Sequence, residues 1–329
     1  MKNRTQAMVT EMAVICLILL FLGVGAQGAP GEKYPTKPIE ILVPWTPGGS
    51  ADIMSRIIAD VGVKYLKQPM VVVNKPGAMG SVAAAEILSS KPDGYKLFMA
   101  TSFFKAVMVK TQKVPFNADN LDPIASFFDY SSGILVRSDS PWKTLRELVE
   151  YARENPNKLK VSTIGPSTTH RLIIMQIFKG TKLIEIPYTG STDVLPALLG
   201  GHIDFTPCTY QPAKGLIQAG KLKMLVVFND HRFRDLRDVP TLVDLGYVEA
   251  AKIKSLNGLV IHKDTPEEIK KILIDTCKKI QKDPQFKKGL ENFVEELKLG
   301  GPELFNKAVE DAREIGIPLV KELGLYIEQ

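Results

Sequence analysis

Glycine and hydroxyl residues recur at four places where an apolar run hands over to a helix-forming segment: Val43–Asp52 (VPWTPGGSAD), Val73–Ser81 (VNKPGAMGS), Thr163–His170 (TIGPSTTH) and Pro187–Asp193 (PYTGSTD). A turn of this kind leaves backbone N–H groups unpaired at the positive end of a helix dipole, which is a place for an anion. The same residues also serve plain structure, with Gly48 and Gly49 making a turn and Ser50 capping the helix that follows. One such turn therefore says little. Four of them, two in each half of the chain, point to a cleft lined by helix starts and hydroxyls and to a small, enclosed anionic guest.

Ser50, His170 and Asp52 also supply the residue types of a hydrolase. No nucleophile elbow of the Gly-x-Ser-x-Gly type accompanies them. Asp52, in the first helical turn, is better placed as a dipole partner, and it is expected to point toward its own backbone or toward Arg56 one turn on. The four histidines (His170, His202, His231, His262) show no paired metal-ligand spacing. Neither a metal nor a cofactor is expected, and no catalytic group is assigned. Tyr188 fits either a core or a cleft, and Gly190 two residues on favours the cleft. Trp45 is equally suited to packing and to the cleft wall.

These residues need elements to hold them. Short β-rich runs alternate with amphipathic helices, the pattern of an α/β architecture. Expected strands are Ile39–Val43, Met70–Val73, Lys96–Ala100, Ile134–Arg137, Leu159–Thr163, Leu183–Pro187, HIDF (His202–Phe205), LKMLVVF (Leu222–Phe228) and Leu256–Ile261. Expected helices are Ser50–Lys67, with Ile53, Met54, Ile57, Ile58, Val61 and Tyr65 on one stripe, then Val82–Ser89, Thr144–Asn155 and a helix from TIGPSTTH through Phe178. The Lys/Glu-rich stretch from Glu267 to Glu314 reads as solvated helices packing on the first lobe.

The chain has 329 residues, 45% hydrophobic and 24% charged, which suits about two globular domains. Met1–Met12 carries Lys2 and Arg4, Ala13–Val24 is apolar, and small residues follow. This order describes a secretory signal peptide, residues 1–26, whose apolar run is shorter than the ~20 residues of a membrane span. Its loss removes two cations and one acid, so the net charge falls from +6 to +5. Cys208 and Cys277 are expected to be unbridged and buried. Basic residues are interleaved with acidic ones, so no nucleic-acid partner is expected.

The ordered series YPTKPIEILVPWTPGGSADIMSRIIA, PMVVVNKPGAMGSVAAAEIL, KPDGYKLFMAT, IPYTGSTDVLPALLGGHIDF and RDVPTLVDLGY resembles the receptors of tripartite tricarboxylate transporters, or Bug-type binding proteins, from about Tyr34 to the C-terminus. The resemblance implies a two-lobed, type II (Venus-flytrap) periplasmic binding protein, α/β, with a mixed sheet in each lobe and a cleft between them. It implies lobe one at residues 30–129 and 252–329, lobe two at 130–251, and a crossover near Phe127–Ser132. It also implies a periplasmic monomer that delivers a small carboxylate to one large and one small integral membrane transporter subunit.

By the same resemblance, the turn from Trp45 to Asp52, with Gly48, Gly49 and Ser50, holds a carboxylate. Ser167, Thr168, Thr169 and His170 form the matching loop of the second lobe. Tyr188 and Gly190 stand at the cleft, with Thr101 at a third-strand end and Asp204 at a Gly-x-x-Asp position. The chain departs from the family pattern with GPST for Gly-x-Gly-Thr, with Thr189 in place of a common Lys or Arg, and with Trp45 beside the first turn. WTPGGSAD, IGPSTTH and YTGSTD hold no lysine or arginine, so neutral donors favour a mono- or dicarboxylate over citrate, with Trp45 and Tyr188 leaving room for an aromatic acid. The alternatives are an ABC-type anion receptor and a secreted hydrolase of small acids.

Overall fold

The apolar runs assemble into two mixed sheets rather than one. The computed structural model describes residues 34–328, so the expected signal peptide lies outside the described residues. The strands are β1 (Ile39–Val43), β2 (Met70–Asn74), β3 (Lys96–Thr101), β4 (Leu121–Asp129), β5 (Ser132–Arg137), β6 (Lys160–Thr163), β7 (Ile184–Pro187), β8 (Phe205–Thr209), β9 (Leu222–Val227), β10 (Leu256–His262) and β11 (Glu296–Gly300). The helices are α1 (Ser50–Leu66), α2 (Ser81–Ser89), α3 (Ser102–Ala106), α4 (Leu145–Glu154), α5 (Thr169–Ile177), α6 (Ser191–Leu199), α7 (Tyr210–Gln218), α8 (Val248–Ala251), α9 (Glu267–Lys282), α10 (Pro284–Gly289) and α11 (Pro302–Glu322). All of these lie in the compact unit Lys37–Gln329.

The first sheet has the order β11-β4-β10-β3-β1-β2 and the second β7-β6-β8-β5-β9. β1 runs parallel to β2 and β3, with Ile41 opposite Val72 on one side and Leu97 on the other. β10 returns antiparallel between β3 and β4. In the second sheet β6 is parallel to β7 and β8, while β5 is antiparallel to β8 and β9. The fold is thus two-lobed α/β with a mixed sheet in each lobe. Parallel strands flanked by helices on both faces bury nearly every residue, which explains the unbroken apolar runs of β1 and β3.

The chain leaves the first sheet at Asp129, enters the second at Ser132, and returns to the first at Leu256. One hydrophobic core runs from Leu42, Phe98 and Phe103 through Ile134, Leu172 and Phe205 to Phe305. A second core, including Leu135, Leu198, Cys208 and Tyr210, covers the other face of the second sheet. Helix α1 buries Met54, Ile58, Val61 and Leu66 as a stripe at helical spacing, while Ile53, Ile57 and Tyr65 are only half-buried at its margin. Cys208 and Cys277 are both buried and form no disulfide.

Three expectations need correction. The strand assigned to His202–Phe205 instead occupies Phe205–Thr209 and includes Pro207. β8 meets β6 only at Val161–Phe205, so Pro207 lies beyond the stretch where donors are needed on both edges. β4 (LDPIASFFD) was not anticipated, because an internal proline disguises it. The Glu267–Glu314 stretch is not helical throughout: ELKLG forms β11, an edge strand whose exposed Lys298 gives it the polar character of a solvated helix.

Candidate functional site

Fourteen residues from both sheets and from the crossovers wall a pocket with about 590 Å3 of open space, counting its mouth. Its base is the start of α1. Gly48 has φ +81°, a left-handed conformation that favours glycine, and Gly49 caps the helix without a side-chain hydrogen bond. The first intrahelical bond runs from Ile53 N–H to the Gly49 carbonyl (3.0 Å), so the N–H groups of Ser50, Ala51 and Asp52 precede the ladder. Across the pocket, Thr168 caps α5 by accepting from Arg171 N–H (3.4 Å), and Leu172 N–H donates to the Thr168 carbonyl (3.0 Å). The N–H groups of Thr169 and His170 precede that ladder in the same way. Two helix starts from different sheets therefore wall one cavity.

Of the residues expected at the site, Trp45, Gly49, Ser50, Thr101, Thr168, Thr169 and His170 line the pocket. Their side chains are largely committed. The Ser50 hydroxyl donates to Glu295 Oε1 (2.5 Å), and Glu295 Oε2 accepts from the Ser131 N–H. Burial pushes the Glu295 carboxyl up to about 7, against the pull of its hydrogen bonds to Ser50 and Ser131. Thr101 accepts from Phe104 N–H (3.0 Å) as the cap of α3. His170 Nε2 pairs with the Ser132 hydroxyl (2.9 Å), and burial holds its ring down to about 4, so it is neutral at neutral pH. The indole Nε1 of Trp45 faces the Tyr130 hydroxyl closely enough to favour its ionisation, but without closing a hydrogen bond. Burial, with the nearby Glu295, still raises the Tyr130 hydroxyl well above the usual tyrosine range.

Gly48, Asp52, Ser167, Tyr188, Gly190 and Asp204 are placed elsewhere. Asp52 turns back from the pocket and accepts from Gly48 N–H (2.9 Å), Arg56 Nε (3.0 Å) and Asn74 Nδ2 (3.0 Å). Burial raises its carboxyl, but the Arg56, Gly48 and Asn74 bonds more than offset this and hold it below the usual range. Ser167 spends its hydroxyl on Thr111 (2.5 Å). Tyr188 packs on the second core, and its N–H pairs with the Thr163 carbonyl (2.8 Å). Gly190 lies against Thr46. Asp204 accepts from Lys160 N–H (2.7 Å) at the start of β6, the strand end remote from the pocket. Ser50, His170 and Asp52 thus form no hydrogen-bonded chain, since each pairs with a different partner.

Thr46, Ala51 and Ile164 join the wall from within the two turns named from the sequence, whereas sequence reasoning missed Met108, Tyr130, Thr209 and Ser255. Thr209 had a readable signal, because CTYQP passes from β8 into α7 with proline at the third helical position. Tyr130 and Ser255 stand on the two crossovers, which no local spacing marks. Among the described residues, no group of three or more His, Cys, Asp or Glu side chains is placed to hold a metal. No described helix is long and apolar enough to cross a membrane.

Two mixed sheets joined by crossovers, with a pocket walled by helix starts from both, define the class of two-lobed solute-binding proteins. The chain belongs to the tripartite tricarboxylate transporter family of receptors, whose family model matches residues 54–325. It is 35% identical over 285 residues to the "UPF0065 protein in gbd 5' region" of Cupriavidus necator, covering 83% of this chain and 84% of that one. Among solved structures it is similar to a periplasmic transporter (29% identity, TM-score 0.81, 90% of this chain and all of the other) and to the periplasmic binding protein BugD (25%, 0.82, 90% and all of the other). Two more distant fold neighbours are MatC of Rhodopseudomonas palustris with bound malate (23%, 0.80, 87% and 100%) and another R. palustris protein with adipate (24%, 0.81, 88% and 98%).

Proposed function

We propose that this chain is an extracytoplasmic solute receptor that closes on a small carboxylate and hands it to a membrane transporter of one large and one small subunit. The observation that carries this reading is the meeting of the α1 and α5 starts, from different sheets, in one pocket without lysine or arginine. Backbone N–H groups at Ser50, Ala51, Thr169 and His170 are the donors, each charge-assisted bond contributing about 1.5–3 kcal/mol. Trp45 forms the wall beside them. Family membership supports the link to a transporter, and the malate- and adipate-bound fold neighbours support a carboxylate guest.

Lobe one then comprises residues 30–129 and 252–329 and lobe two residues 130–251, with the pocket at their junction. Residues 1–26 are removed on export, and the mature protein acts in the periplasm as a monomer that binds without turnover. Calorimetry against a panel of carboxylates, with product analysis of the same mixtures, tests this reading. Saturable one-to-one binding with unchanged ligand is the expected result. Consumption of the acid, or binding of uncharged solutes alone, would overturn it.

A further inference from the structure

The pocket joins two features that together narrow the guest. The first is charge. None of the residues lining it is Lys, Arg, Asp or Glu, and its only titratable lining groups are His170, neutral as described, and the Tyr130 phenol. Among the lining residues, positive potential comes from helix starts alone. A helix N-terminus is equivalent to roughly half an elementary charge, so the starts of α1 and α5 supply about one. The Glu295 carboxyl stands directly behind Ser50 and subtracts from this when ionised. That sum matches one carboxylate and leaves a second without a counter-charge. The rest of the wall is apolar, with the Trp45 ring, Ala51, Met108 and Ile164 facing the space.

The second feature is a polar atom left over. Thr209 is 4% exposed, lines the pocket and stands at the cap of α7, yet its hydroxyl neither caps the helix nor finds any other partner. Buried hydroxyls are nearly always hydrogen-bonded, so an unpartnered one on a residue of the pocket wall marks where a guest bonds. The backbone does not substitute for it there, because Tyr210 N–H is spent on the Ser131 carbonyl (2.7 Å), Gln211 N–H acts on the Glu295 carboxyl and Pro212 has no N–H.

Building on the receptor reading above, we infer that the guest is a monocarboxylate with an uncharged, largely hydrocarbon body, its acid group held by helix starts and by the Thr209 hydroxyl. This sets the chain apart from neighbours solved with malate and adipate, which are dicarboxylates. Hexanoate and adipate share a carbon skeleton and differ in the second acid group, so they separate the two classes.

Calorimetry on the full protein should give hexanoate, and likewise benzoate, a dissociation constant at least tenfold below that of adipate or terephthalate. Equal or tighter binding of the diacids overturns the inference while leaving the receptor reading intact. Binding of hexanamide with no binding of any acid overturns the receptor reading itself. Thr209→Val should raise the hexanoate dissociation constant about tenfold, the factor that corresponds to one net hydrogen bond. Thr209→Ser should restore the affinity, and the melting temperature of both unliganded variants should match that of the parent. Unchanged affinity in Thr209→Val overturns the anchoring role. The hexanoate–adipate ratio needs no variant and decides the ligand class even if that substitution disturbs folding.

Discussion

Two turns of this protein are nearly the same in sequence and opposite in use. PWTPGGSAD (Pro44–Asp52) and PYTGSTD (Pro187–Asp193) each pass from a strand through Pro, an aromatic residue and Thr to a Ser-x-Asp helix start. The first lies under the pocket, and its Asp52 is buried and held by Gly48, Arg56 and Asn74. The second does not line the pocket. Its Asp193 is exposed and accepts from the neighbouring Thr189 hydroxyl. The two turns touch, with Thr46 Oγ1 and Thr192 Oγ1 2.7 Å apart, so the second turn braces the first across the lobes. The same composition therefore makes a pocket wall beside one sheet and a brace beside the other, and what distinguishes them is the set of groups behind each.

The largest test of that difference lies behind the first turn. Glu295 joins the Ser50 hydroxyl to the Ser131 N–H, and no corresponding buried acid stands behind the second turn's Gly190 among the described residues. Its folded-state carboxyl sits at about 7 against an ordinary value of 4.5, so the folded form holds the proton more tightly. The stability this contributes is fully present below pH 4.5 and is lost as pH rises to about 7. The loss is on the order of 3 kcal/mol. Glu295→Gln should flatten this part of the pH–stability curve measured by urea unfolding. An identical pH slope in the variant would refute the assignment.

The next test attacks the brace. A Cβ on Gly190 would stand 2.3 Å from Thr46 Oγ1, while the Gly190 backbone is extended and imposes no strain of its own. Gly190→Val should push the turns apart and weaken ligand binding about 5- to 150-fold, as overpacking by about 1–3 kcal/mol requires. Small-angle scattering of the variant with ligand should show a larger radius of gyration. Retention of parental affinity would mean that the contact is incidental.

Exchanging the acids sharpens the comparison. Asp52→Asn should lower stability by about 1–3 kcal/mol, because a buried acceptor loses its charge-assisted bonds. Asp193→Asn should stay within about 0.5 kcal/mol, as surface substitutions do. Since the Asp52 carboxyl is held below its usual range, its contribution is present above pH 3.8 and fades as pH falls through the folded value. Between the two acids falls Thr192→Ala, which removes one hydroxyl pair and should cost about 0.5–1.5 kcal/mol in thermal unfolding. A loss above that from Thr192, or none from Asp52, would reverse the ranking of the two turns.

The extent to which the site was legible follows the range of the interactions involved. Helix starts at Ser50 and Thr169, the alternation of strands and helices, and the turn of Asp52 toward Arg56 all depend on residues within a few positions of each other, so composition and spacing reveal them. Of the four strand-to-helix turns, two line the pocket. The other two pack across it, Gly190 against Thr46 and Gly165 of the second sheet against Met79 of the VNKPGAMGS turn. Nothing local separates a turn that faces a cleft from one that faces another turn.

By itself, then, the sequence determined the α/β pattern, the helix-start donors and the lack of lysine or arginine in WTPGGSAD, IGPSTTH and YTGSTD, because hydrogen-bond ladders, caps and apolar periodicity act over one or two turns of chain. Only the tertiary structure decided which starts meet, that Glu295 occupies the Ser50 hydroxyl from 245 residues away, and that Tyr130, Thr209 and Ser255 complete the wall. Those choices follow from strand order, with β10 returning between β3 and β4 after the whole second sheet is built. Strand order is set by burying both faces of each sheet at once, a property of the assembled chain that no single segment carries.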